Sequence, residues 1–170
     1  MAFLNIKLVL VALRLIHVVS GVLWVGGAAV LAAFVLPAAR DEKSMAYLRQ
    51  LIWTRNLPRY LNVMLVLALL SGLTMYGNLV FITRGAWARS RVGMTLGLGG
   101  ALAILAALVA TFVAAPAIHR ALELTDGTSP SSSDASAEAS RALSRYAAAM
   151  RLVVALLIGT AALMGIARYL

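Results

Sequence analysis

LVLVALRLIHVVSGVLWVGGAAVLAAFVL, residues 8–36, is the stretch that decides how the rest of the chain is read. Only Arg14 and His17 interrupt it, and it exceeds the ~20 residues of helix needed to cross a hydrocarbon layer. The apolar region of a cleaved signal peptide is shorter, about 7–15 residues. This run therefore reads as a retained helix, with Pro37 expected to close it. Three further runs follow, at residues 60–82, 92–118 and 147–167. The second opens after Asn56 and Pro58, a cap and a first-turn proline. The second and third are uncharged, and the fourth carries Arg151 one turn inside its start. Alternation with period two is absent, which argues against strands. The expected fold class is all-α: an integral membrane four-helix transmembrane bundle, residues 1–170 forming a single transmembrane domain.

The bulk composition agrees. Hydrophobic residues make up 62% of the chain and charged residues 12%, with a mean hydropathy of +0.92. One small soluble core cannot hide that much apolar surface, so lipid is the expected solvent. The formal charge of +9 does not indicate nucleic acid, because the basic residues flank apolar runs and form no stripe with interleaved aromatics. Such flanks suit insertion and anionic headgroups. The lipid bilayer is thus the expected partner, with no nucleic acid. The absence of cysteine excludes disulfides, thiolate metal sites and iron–sulfur clusters.

The connections differ in character. Residues 41–54 place Met45, Leu48, Leu51 and Ile52 at helical spacing, with Lys43, Arg49 and Gln50 elsewhere. This pattern predicts a short interfacial helix between spans 1 and 2. Residues 84–91 form a short basic loop with Trp87 at the interface. Residues 125–140, rich in Ser, Ala and acidic side chains, read as a mobile linker that becomes helical after Asp134. No internal repeat is evident. Nine basic residues on the side of the first and third connections, against six on the terminal side, put both termini on the non-cytoplasmic side. The expected location is a plasma membrane, the inner membrane in a bacterium. Glycines in every span allow close backbone approach, and Gly93 and Gly97 have the GxxxG spacing that can also pair two copies in a homo-oligomer.

Polar side chains inside a span tend to face the bundle interior or a cavity. At ~100° per residue, Arg14, His17, Gly21, Trp24, Ala28 and Leu31 fall on one narrow stripe. That stripe suits a porphyrin: His17 as the iron ligand, Gly21 and Ala28 leaving room for a flat ring, Trp24 packing on its edge, and Arg14 pairing with a propionate. The bland alternative is a histidine hydrogen-bonded to another helix. His119 is expected at the opposite side of the membrane, since about 28 Å of helix separates His17 from Leu36. The two histidines therefore cannot sandwich one haem. His119 itself reads as a helix-end histidine favoured by the carbonyl dipole. Arg59, Asn62, Arg120 and Arg151 are expected near it, a basic cluster at headgroup level whose default ligand is lipid. Copper is the rival metal, since thioethers suit Cu(I) and the spans hold Met64, Met75, Met94, Met150 and Met164, although no closely spaced pair occurs. All six acidic residues lie in the first and third connections, which leaves no buried acidic proton relay.

The run from Leu13 to Gly27, with His17 followed seven residues later by Trp24, resembles the first helix of small four-helix membrane proteins related to the copper-resistance protein CopD. It is also similar to that of the HemJ-type protoporphyrinogen oxidases. Arg59 and Asn62, followed by Leu70-Ser71-Gly72-Leu73, are similar to the second CopD-like helix. The resemblance implies haem b on His17 and membrane redox chemistry, with protoporphyrinogen oxidation as the reaction if the protein is an enzyme. HemJ-type proteins carry a lysine at the start of the third helix, where this chain has Arg89 and Arg91. Two alternatives stand beside it: copper handling without haem, and a non-catalytic subunit of a larger membrane complex.

Overall fold

The computed structural model describes residues 2–38, 47–124 and 133–170. No strand occurs among them. Four helices are long and apolar enough to cross a membrane: Lys7–Ala38, Leu57–Ile82, Arg91–Leu124 and Ser136–Tyr169. The first packs along the second and the third along the fourth. Contacts between first and fourth, and between second and third, close the ring.

Each boundary has a local cause. The second helix starts after Asn56, whose left-handed backbone (φ 50°) turns the chain, and Pro58 occupies the first turn, where its missing N–H is not needed. The turn between the second and third helices uses Arg84 (φ 50°) and Gly85 (φ 82°). Ser90 then caps the third helix, its Oγ accepting from the Gly93 N–H at 3.1 Å.

Pro37 does not end the first helix. The chain widens into a π-helical turn at Leu31–Val35, where the Leu36 N–H bonds to the Leu31 carbonyl five residues back, and then runs on to Ala38. The third helix repeats the device: a π turn at Ala110–Ala114 precedes Pro116, and helix continues to Leu124. A widened turn relieves the clash between a proline ring and the carbonyl four residues earlier, so each helix passes its proline instead of breaking. The fourth helix begins at Ser133, well before its apolar run. Residues 133–140 of the expected linker are therefore helical, and residues 125–132 lie outside the described residues.

The expected interfacial helix at 41–54 is described from Tyr47 onward. It is helical, ending in a π turn at Gln50–Thr54. Leu48 and Ile52 insert into the bundle and are buried, not turned to the surroundings. The segment thus closes one end of the apolar core.

That core occupies one half of the bundle. It runs from Trp24 to Leu36 on the first helix, joins Leu48, Ile52 and Leu65, and continues from Ala106 to Leu122 and from Tyr146 to Leu157. Toward the termini the buried set turns polar, with Ser20, Ser71 and Thr160. Each of these hydroxyls bonds to a carbonyl four residues back in its own helix. Three further bonds cross between helices in this half: His17 to Ala68, Tyr76 to Gly93, and Thr160 to Gly99. Gly93 and Gly97, the GxxxG pair, are both consumed inside the chain. Gly93 packs on the Trp87 carbonyl, and a Cβ on Gly97 would sit 2.8 Å from the Tyr76 hydroxyl. Gly97 thus seats the second helix on the third, and Gly93 the turn that precedes the third helix.

Candidate functional site

His17 stands on the first helix where it crosses the second. Its Nδ1 lies 2.8 Å from the Ala68 carbonyl. A carbonyl only accepts, so Nδ1 carries the hydrogen, and in the neutral ring Nε2 keeps its lone pair. The seat is Gly72. A Cβ there would fall 2.7 Å from His17 Cε1 and 3.0 Å from Nδ1, so only a residue without a side chain lets the imidazole lie against the second helix. Ser71, beside it, is buried and turns its hydroxyl back to Leu67 and Ala68. Nε2 has no hydrogen-bond partner among the described residues, yet no buried side-chain nitrogen there lacks a partner. It follows that Nε2 opens on accessible space.

The rest of the stripe divides. Arg14, one turn toward the terminus, is exposed. Gly21, one turn the other way, is half-buried, and a Cβ added to it would meet nothing within 4 Å, so there is room beside it. Trp24, Ala28 and Leu31 are buried at 4%, 1% and 3% exposure and belong to the apolar core. The stripe therefore starts at an exposed cation, passes an oriented imidazole and open volume, and ends in close packing.

His119 is held elsewhere. Its ring meets Trp53 edge-on, with centroids 5.4 Å apart, at the end of the bundle that the segment at 47–54 covers. Trp53 comes from that segment, a pairing sequence periodicity did not reveal. The basic cluster is also regrouped. Arg59, Asn62 and Arg151 are exposed, whereas Arg120 shares a groove with Arg141 and Arg145 from the start of the fourth helix. The spacing of Glu138, Arg141 and Arg145, at i, i+3 and i+7, was the available signal for that face. Among the methionines, Met150 is buried in the apolar core, Met64, Met75 and Met164 are half-buried, and Met94 is exposed. No group of three or more His, Cys, Asp or Glu side chains able to hold a metal ion occurs among the described residues.

Comparison with protein-family models, with curated proteins and with solved structures gives no match. The site's chemistry therefore stands on its geometry alone: one fixed imidazole with a free ring nitrogen, and open surface beside Gly21 one turn away.

Proposed function

We propose that the chain spans a lipid bilayer as a four-helix bundle, both termini on the non-cytoplasmic side, and is a CopD/HemJ-like redox protein binding haem b through Nε2 of His17. The observation that carries this reading is the bond from Nδ1 to the Ala68 carbonyl. Histidines that ligate metals donate their other ring N–H to a carbonyl or carboxylate, which fixes tautomer and ring orientation and raises the basicity of the ligating nitrogen. The residues present fit the group. Gly72 lets the second helix hold the imidazole, the surface beside Gly21 is open, and Arg14 is exposed where it can pair with a propionate. Trp24, buried one turn beyond Gly21, begins the apolar core.

Haem b, when bound, supplies reversible one-electron transfer. The chain's part is to hold the ligand nitrogen, bury the ring in an apolar surrounding and match its negative edge with Arg14. Arg89 and Arg91 stand near the start of the third helix, where HemJ-type oxidases use a lysine. Electron carriage is accordingly the function proposed, and protoporphyrinogen oxidation is the first activity to assay.

The test is a reduced-minus-oxidised spectrum of the purified protein in detergent after expression with ample haem. Soret and alpha bands are expected, lost in His17→Ala and retained in His119→Ala. A wild-type protein without either band ends the haem reading.

A further inference from the structure

The His17 site leaves one large concavity unused. A groove of about 870 Å³ lies between the end of the third helix and the start of the fourth. Its apolar wall is Phe112, Val113 and Pro116, and its polar wall is Arg141 and Arg145, with Arg120 and Glu138 at the outer edge. Arg120 is engaged: its Nε and Nη2 donate to one Glu138 oxygen at 3.1 and 2.9 Å, and Glu123 approaches at 4.0 Å. Arg141 donates Nε to the Ala137 carbonyl at 3.3 Å, leaving its terminal nitrogens over. Arg145 has no ion-pair partner among the described residues, and it lies about 10 Å of helix deeper than Glu138. Three guanidinium groups thus meet two carboxylates, Glu138 and Glu123, both of them on Arg120, which leaves Arg141 and Arg145 uncompensated among the described residues. The apolar wall continues along the same face of the third helix through Leu108 and Leu105, both exposed.

We propose that this groove binds an anionic phospholipid, its phosphodiester between Arg141 and Arg145 and one acyl chain along Phe112, Leu108 and Leu105. The proposal rests on the reading that the four helices span a bilayer. Three features together favour this occupant. Guanidinium forks match phosphate oxygens. The excess positive charge disfavours a headgroup that also carries a cation. A soluble anion has no use for the continuous apolar track that leads away from the arginines toward the middle of the helices. Arg120, held by Glu138, forms the outer wall and is not itself needed for the phosphate.

The experiment uses the full chain, extracted from membranes in mild detergent and exchanged against equal mixtures of phosphatidylglycerol and phosphatidylcholine, with retained lipid counted by native mass spectrometry. Phosphatidylglycerol is expected to be retained preferentially. Arg141→Gln and Arg145→Gln should each weaken that retention about fivefold, as expected for one basic side chain near an anionic headgroup. Arg89→Gln, the same charge change at the opposite end, should leave it intact. Glu138→Gln frees Arg120 and should strengthen retention, a gain that misfolding cannot imitate. Inorganic phosphate should not displace the lipid, and displacement would mean a simple anion site. Equal retention of the two lipids, or equal loss in Arg89→Gln and Arg145→Gln, overturns the proposal. A chain that stays out of the membrane fraction overturns the bilayer reading instead.

Discussion

Between Trp24, Leu65, Ala106 and Leu157 and the segment at 47–54, the four helices meet through apolar side chains. Toward the chain termini they meet through hydrogen bonds onto backbone carbonyls, His17 to Ala68, Tyr76 to Gly93 and Thr160 to Gly99. Glycines stand at each crossing: Gly72 against His17, Gly97 against Tyr76, and Gly99 against the fourth helix near Thr160. The difference teaches how one bundle can hold its helices together in two ways. In lipid, helices gain nothing by hiding apolar surface from each other, so association rests on close packing and on bonds between helices. The half packed with side chains holds the apolar core, and the groove between the third and fourth helices opens on its outside. The half joined by a few polar bonds brings its helices together through glycines that leave no room for a side chain, and His17 lies there.

Three substitutions can break or sharpen this contrast. The largest effect on stability should fall in the apolar half. Leu157 is 1% exposed, and Leu157→Ala should cost about 2–5 kcal/mol through the cavity it leaves. Denaturant titration in micelles measures it, and a loss no greater than that of a polar-half variant would erase the distinction. Gly72→Val is expected next, at about 1–3 kcal/mol, because the imidazole has to leave its seat and surrender the Ala68 bond. Its signature is that any haem band should fall with it, whereas Leu157→Ala should leave the band of the folded fraction unchanged. Gly21→Ala should have the smallest effect on folding: the new methyl meets nothing, and a helical glycine replaced by alanine is typically neutral or gains up to about 1 kcal/mol. A stable Gly21→Ala protein with a weakened band would locate the haem beside Gly21, and an unchanged band would move the ring elsewhere.

Much of the architecture was legible in the chain, for a plain reason. Apolar runs such as residues 60–82 are long, and length and hydropathy alone identify a helix able to cross a membrane. What hydropathy misses is helix that is not apolar. The first turns of the fourth helix, with Asp134, Glu138, Arg141 and Arg145, fall outside the apolar run because their polar face dominates the average; there the acidic first turn gave the helix away, and Ala139 and Tyr146 are buried behind it. Pro37 misled in the opposite sense. A proline signals a break, and the π turn that lets a helix pass it leaves no mark in composition. At the candidate site, the angular bookkeeping put Arg14, His17, Gly21 and Trp24 on one face. It could not supply the partner, because the acceptor for His17 is a backbone carbonyl, and every residue has one. Gly72 was visible only as one packing glycine among many, since nothing in a single chain states which helix crosses at which height.

That partner has a consequence for how such a site tolerates change. The oxygen that orients the imidazole belongs to the peptide chain, so no substitution of the side chain at position 68 deletes it. The second helix can drift in sequence around the site, swapping one apolar residue for another, and still present the same acceptor at the same height. The instruction is confined to two positions: a histidine at 17, and at 72 the absence of any side chain at all. Mutational scanning across the His17 crossing should therefore show small apolar residues accepted at position 68 and none accepted at Gly72.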